Sequence, residues 1–503
     1  MDGLPSSNPS SPFRVKSSQG GTKAFPWEGS PKYLASIRLG REGLEDLLEK
    51  AVNHGRQLGA SHVEARGEKA WRTSITAREG KIETAREGFT AGVGVRVLAG
   101  GAWGYASTTR LDLEGVLEAV EAAFKLARAA SFKVKDPVRL AEVKAERVKA
   151  AWRVNREPLK VSVEEKAGMV QGLNRRLMEA DERIKSSTVE YFDLTVDSCF
   201  ASSEGALILQ LKTYVWLRAN VSAFESGVYA SASEEAGATR GLEYFNGGRL
   251  EGLAGRLVSR VRGQLKAVQP KAGVYPAVLG PSVVGVFAHE ALGHLAEADL
   301  ALSGSILLQY KGRRVASSQV TLYDDGGIEG AFGSLLYDDE GVKARRVTIL
   351  REGVVEGFLQ SRETAAKMNV EPTGNARAES FRHAPLVRMR NTFLAAGDHS
   401  LEELFEPVKF GYYLKVLRGG QANMDGTFQV GVQEAYEIVN GEIGRPVRNL
   451  SIAGNTLETL MGVEAAGRDF ELWPGRCGKG QTAFVSDGGP SIRVKALRIG
   501  GRS

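Results

Sequence analysis

Twice within the first 270 residues the chain runs through the same order of patterns: a helical apolar stripe, several short strand-like segments, and a second helical stripe. In the first round Leu44, Leu47, Leu48, Ala51, Val52 and Leu58 recur at helical spacing over 41–58. Val116, Leu117, Val120, Ala123, Phe124 and Ala127 do the same from about Asp112. Between them Val63–Ala65, Thr73–Ala77, Ile82–Ala85, Ala91–Leu98 and Trp103–Thr108 read as strands, with Glu79-Gly80, Glu87-Gly88 and Gly100-Gly101 as turns. The second round sets helices at 163–179 and 249–266 around strands near 188–196, 199–203, 206–218 and 227–233. Strands joined by tight turns pair antiparallel, because a parallel pair needs a long crossover. The expected architecture is therefore α+β and antiparallel-sheet-rich.

These patterns divide the chain. Residues 33–270 read as an N-terminal α+β region of two helix–meander–helix units, about 33–135 and 150–268. Pro270–Tyr275 is a junction, and 271–503 reads as a larger, β-rich C-terminal catalytic domain. Two hairpins are signalled there: Arg346–Leu350 and Val354–Gln360 flank Glu352-Gly353, and Ala435–Val439 runs into Asn440-Gly441, a favoured type I′ pair. Residues 1–32 hold seven Ser, five Pro and four Gly, a composition that favours a disordered tail.

Several function classes drop out. No apolar stretch approaches the roughly 18–20 residues of a membrane helix. The two cysteines, Cys199 and Cys477, cannot build a disulfide framework, and the start of the chain carries no signal-like apolar region, so a cytoplasmic location is expected. Of the net charge of +6, Arg14, Lys16, Lys23 and Lys32 against Asp2 and Glu28 place +2 in the first 32 residues. The mild remainder serves solubility, and no basic–aromatic module points to nucleic acid. Gly92-Val93-Gly94 is no dinucleotide fingerprint, since Val97 stands where the third glycine belongs.

The chemistry concentrates in residues 283–299. Val283, Val284, Phe287, Ala291, Leu292 and Leu295 form an apolar stripe, while His289, Glu290, Gly293, His294 and Glu297 share another face. The spacing is HExxxH, one residue longer than the zinc-hydrolase HExxH. On a regular α-helix an i,i+4 pair lies about 40° apart, but an i,i+5 pair about 140°. A π-type turn would bring both imidazoles to one ion, and Gly293 is where it is expected. Glu290 stays one turn from His294.

A catalytic zinc takes three protein ligands and leaves a fourth position for water. Asp324, Asp325, Asp338, Asp339, Glu340, Glu297 and Asp299 are carboxylate candidates for the third place, although the first five read as turn residues. Cys477 is the better candidate: it lies in the Gly-rich stretch Gly475–Gly480, where Arg476 and Lys479 would favour a thiolate. Cys199 reads as a buried small hydrophobe.

Several segments, in order, resemble the TldD/PmbA family, and specifically its metal-binding TldD branch. They are GFTAGVGVRVLAGGAWGYASTT (88–109), HEALGHLAEAD (289–299), TGNARAESFRHAPLVRMRNTFLAAGD (373–398), QEAYEIVNGEI (433–443) and GRCGKGQ…VSDGGPSIRV (475–494). The resemblance spans about residues 35–503. It departs at Ala298, which stands for a glycine, and in the Cys477–Gln481 loop, one residue shorter than usual. The resemblance implies a zinc-dependent metallopeptidase acting on unfolded or extended peptides, in peptide maturation or degradation. It implies His289, His294 and Cys477 as zinc ligands and Glu290 as general base, in a heterodimer with a PmbA-like partner or a homodimer. Arg382, His383 and Arg388 are chemically suited to hold substrate or stabilise an oxyanion. The alternative is a non-catalytic, PmbA-like peptide-binding partner subunit, against which the intact HExxxH argues.

Overall fold

The computed structural model describes residues 43–423 and 425–501. The expected disordered tail, 1–32, lies outside the described residues. Four long helices occupy the predicted places: Leu44–Gln57, Leu113–Ser131, Val163–Glu179 and Arg249–Leu265. Asp112 caps the second, its carboxylate accepting from the Gly115 amide at 2.7 Å, and Ser162 caps the third.

Both rounds of the sequence pattern feed one seven-stranded sheet. Its strands are β1 (His62–Arg78), β2 (Lys81–Ala99), β3 (Ala102–Thr108), β4 (Arg147–Ala151), β5 (Ile184–Ser202), β6 (Leu207–Glu225) and β7 (Val228–Ala238). The two meanders join where β1 runs antiparallel to β5, from Glu64 opposite Ser202 to Arg78 opposite Thr188.

The strands are longer and fewer than the sequence pattern suggested. Glu87-Gly88 does not turn the chain: it sits inside β2, opposite Thr73 and Arg72. The outer arm of β2 is largely exposed, so apolar alternation is lost there while backbone pairing continues. Segments 188–196 and 199–203 likewise form one strand, β5.

Alternation along the strands divides the sheet into two faces. Ile75, Val189, Tyr191, Val215 and Leu217 pack under Val163–Glu179 and Arg249–Leu265. Phe192, Tyr214 and Trp216 point the other way and meet Phe332 and Phe484 of the C-terminal part.

That part holds an eleven-stranded, mixed sheet. The long strand Thr482–Gly501 is its hub, pairing with Gly273–Leu279, Leu450–Asn455, Val463–Gly478 and, in parallel, Asn391–Leu394. Both predicted hairpins turn where expected, although the second strand of the first is only Val354–Val355 rather than Val354–Gln360; Glu352, Gly353, Asn440 and Gly441 are all at positive φ, as a type I′ turn requires. Gly419-Gly420-Gln421 lies within the strand Phe410–Ala422.

The Gly92-Val93-Gly94 motif finds its explanation where the two sheets meet. A Cβ at position 92 would collide with the Phe381 ring, and one at 94 with the Phe381 carbonyl oxygen and the Tyr105 hydroxyl. The Phe381 segment is tied down by Arg66 on the Ser380 and His383 carbonyls at 2.6 and 2.9 Å. The Phe381 amide donates to Glu68 at 2.6 Å, and the Tyr105 hydroxyl donates to the Phe381 carbonyl at 2.6 Å.

Candidate metal centre

The HExxxH segment is not one regular helix. Pro281–Val286 is α-helical, Phe287–Gly293 is a π-helix, and His294–Ala296 closes as a 3-10 turn. The π-turn brings the His289 and His294 ring centroids to 5.2 Å, edge to face. Gly293 is sterically required: a Cβ there would strike Met389 Sδ and press on the Ala288 carbonyl oxygen.

The Cys477 strand, Val463–Gly478, supplies the third donor. Cys477 Sγ lies 3.3 Å from His294 Nε2. One ligand atom from each of His289, His294 and Cys477 falls within 4.8 Å of the others, and no other such group occurs among the described residues. Two imidazoles and a thiolate form an N/S donor set suited to zinc. His289 Nδ1 is buried without a hydrogen-bond partner. On both counts the residues fit a zinc ion.

The electrostatics match. Burial alone would raise the Cys477 thiol pKa, but the His289 and His294 imidazoles bring it down to about 5. Burial pulls His294 down, while Cys477 and Glu297 raise it, to about 10. Cys199 has no such neighbours, and burial pushes it up to about 12.

Behind His294 stands a second layer. Its Nδ1 lies 3.1 Å from Oε2 of Glu297, which is fully buried. Burial raises the Glu297 carboxyl pKa, but His294 and Lys479 outweigh it, and the net shift is downward. As a carboxylate Glu297 only accepts, so His294 Nδ1 donates to it and Nε2 is the ring atom that faces Cys477. Lys479 Nζ holds Glu297 at 3.0 Å, Asp299 at 2.7 Å and the Val387 carbonyl at 3.0 Å. Lys479 therefore acts on the carboxylates. Arg476 points away, over aromatic rings, so the imidazoles rather than these two cations activate the thiol.

The other predicted residues are placed as follows. Glu290 is half-exposed, its Oε2 3.9 Å from His294 Nε2, open to an incoming molecule. Arg388 is buried and spends its terminal nitrogens on the Gln481 and Cys477 carbonyls, both at 2.6 Å, bracing the cysteine loop. Arg382 is exposed and stacks on Phe381, 4.6 Å from the ring centroid, and His383 Nδ1 lies 3.1 Å from Ser380 Oγ. Both belong to the segment seated on the N-terminal sheet, whereas Arg388 touches the cluster directly. The acidic pairs are structural: Asp324 holds Arg390, Asp339 faces Lys212, and Glu340 holds Arg96.

Asp487 escaped sequence reasoning. It is partly buried beside Gly285 and the His289 side of the cluster; burial pushes its pKa up to about 6, His289 opposes this, and Glu290, Glu235 and Cys477 add to it. Its only sequence signal is its place in the stretch 475–494 that carries the resemblance.

The chain is similar to known proteins along most of its length. Family profiles match the PmbA/TldA metallopeptidase domain 1 over residues 63–127, the central domain over 156–265 and the C-terminal domain over 272–501. A metalloprotease of Methanothermobacter thermautotrophicus is 38% identical over 435 residues, 85% of this chain and 93% of that protein. A zinc metalloprotease TldD homolog of Saccharolobus solfataricus is 35% identical over 454 residues, 90% of this chain and 99% of that one. TldE from Thermococcus kodakarensis has the same fold, with a TM-score of 0.72 at 19% identity, covering 90% of this chain and all of that one. From the three consecutive domain matches and these relatives, the chain belongs to the PmbA/TldD metallopeptidase family.

Proposed function

We propose that this protein is a zinc-dependent peptidase of the TldD type that hydrolyses unfolded or extended peptides. The observation that carries the reading is the convergence of His289, His294 and Cys477 within 4.8 Å, with the half-exposed Glu290 carboxylate 3.9 Å from His294 Nε2.

His289, His294 and Cys477 would hold the zinc. When bound, zinc supplies Lewis acidity, polarising a scissile carbonyl and making a water molecule acidic near neutral pH. Glu290 Oε2 is placed to take a proton from the attacking water and to return it to the leaving amine nitrogen. Glu297 fixes the His294 ring by its Nδ1, which would leave Nε2 to hold the ion, and Lys479 fixes Glu297. Arg388 holds the Cys477 carbonyl and so sets the depth of the cysteine loop. Arg382 and His383 belong to the segment seated on the N-terminal sheet and would contact substrate rather than the reacting atoms. An extended peptide can add to an unpaired strand edge, and among the described residues the Phe470–Gly478 part of Val463–Gly478 pairs with Thr482–Gly501 alone, while Gly467 bridges to His399.

In this reading the working unit is a heterodimer with a PmbA-like subunit, or a homodimer, in the cytoplasm, where a reducing environment keeps Cys477 available. The test is metal analysis of the purified protein together with cleavage of an unstructured peptide, with and without partner and with and without chelator. One zinc per chain and chelator-sensitive cleavage support the reading. Metal-free protein that still cleaves, or zinc-loaded protein inert with every partner, would overturn it.

A further inference from the structure

The face of the seven-stranded sheet that meets the cysteine hairpin carries an aromatic shelf with two arginines on it. Phe192 on β5 lies opposite Trp216 on β6, and their rings stack at 5.4 Å. Tyr214, Phe332 and Phe484 complete the shelf. The Arg476 guanidinium carbon sits 4.2 Å from the Trp216 ring centroid and 4.8 Å from that of Phe192. The Arg72 guanidinium carbon lies 5.2 Å from the same Phe192 ring.

Both arginines are exposed. Among the described residues neither has a carboxylate within ion-pair distance, and Arg72 donates only to Ser74 Oγ, at 3.1 Å. The nearby carboxylates do not close the gap. Glu235 accepts from Trp216 Nε1 at 3.1 Å and faces Arg218 at 3.5 Å, while Glu190 reaches Arg476 only through its field.

A guanidinium lying over aromatic rings has its polar edge left for a planar acceptor, and a carboxylate matches that edge with two parallel bonds. Two such cations over one ring repel each other, and an anion between them relieves the repulsion. The shelf lies across the cysteine strand from the metal centre, because successive side chains of a strand point to opposite faces. Arg476 immediately precedes Cys477 in the strand, and Glu235 acts electrostatically on both Arg476 and Asp487, which in turn feels Glu290.

We propose that Arg72 and Arg476 form a subsite for a carboxylate of the peptide substrate, either an Asp or Glu side chain or a free C-terminal carboxylate. The proposal rests on the peptidase reading for the word substrate, but the subsite can be tested by binding alone.

Three fluorescently labelled peptides of one otherwise neutral, unstructured sequence serve as probes. One has an internal Glu and an amidated C-terminus, one has Gln there and an amidated C-terminus, and one has Gln and a free C-terminal acid. Binding is read by anisotropy on zinc-loaded full-length Glu290→Gln protein, and cleavage is followed in parallel on wild type. The subsite predicts that one acidic peptide binds about tenfold tighter than the neutral one, the difference that about 1.4 kcal/mol represents. Preference for the Glu peptide identifies a side chain as the source, and preference for the free acid identifies the C-terminus. Arg72→Gln should abolish the acid-to-neutral ratio, and Arg72→Lys should restore part of it. Equal binding of all three peptides, binding of none, or an unchanged ratio in Arg72→Gln would overturn the subsite, leaving the arginines as cover for the aromatic cluster. The wild-type preference needs no variant, so it decides the matter even if Arg72→Gln does not fold. Acid-selective binding without cleavage would sink the peptidase reading while the subsite stands; cleavage of all three peptides without preference would do the reverse.

Discussion

His294 Nδ1 and Glu297 Oε2 lie 3.1 Å apart, and this bond decides which ring nitrogen faces Cys477. Glu297→Gln keeps the shape but can present an amide donor to Nδ1 and loses the charge that balances Lys479. Zinc affinity should fall by roughly 10–100-fold, the usual cost of losing a partner behind a metal ligand. Competition against a chromogenic chelator measures it. An affinity equal to wild type would show that the ring is oriented by packing alone.

Gly293 allows the π-turn to sit against Met389. Gly293→Ala forces a methyl group into Met389 Sδ and the Ala288 carbonyl, which should cost about 1–3 kcal/mol and lower zinc occupancy. Adding Met389→Ala removes one of the two clashes and should recover part of the melting temperature lost to Gly293→Ala. A single variant that melts with wild type and binds full zinc would show that the turn tolerates a side chain.

The two cysteines should titrate far apart. In chelator-treated protein Cys477 should be a thiolate above pH 5 and become protonated as the pH falls through about 5, whereas an ordinary thiol titrates near about 8.5. Its folded-state pKa is depressed, so the stability this pairing gives is present above the unfolded value and is lost as the pH falls through 5. Thiolate ultraviolet absorbance against pH should show this step, and Cys477→Ser should remove it. Cys199, pushed up to about 12, should contribute nothing in that range. A first thiolate step near pH 8 would mean that the imidazoles do not hold the charge.

Much of this was legible in the sequence, and the reasons differ by feature. Helical stripes such as Leu44, Leu47, Leu48, Ala51 and Val52 bury one face, so periodicity marks them directly. The extra residue in HExxxH predicted the π-turn because two imidazoles cannot otherwise share an ion. Strand lengths were hidden because the outer arm of β2 is largely exposed and partly buries only scattered side chains such as Ile82 and Ala85, so its pairing continues without a regular apolar alternation. The fusion of both meanders into one sheet depends on β1 meeting β5, a contact more than a hundred residues apart that no local pattern encodes. Arg388 was singled out for its chemistry, yet its hydrogen bonds to the Cys477 and Gln481 carbonyls exist only once two distant strands have met. Asp487 was invisible for the same reason.

Glu290→Gln tests the central claim most directly. The substitution keeps the size and hydrogen bonding of the side chain and removes its ability to carry a proton, while His289, His294 and Cys477 are untouched. The variant should fold, retain one zinc per chain, and cleave an unstructured peptide about 10²–10⁴-fold more slowly than wild type assayed with the same partner. Near-wild-type, chelator-sensitive cleavage by zinc-loaded Glu290→Gln would contradict the account and assign the proton transfer to another residue.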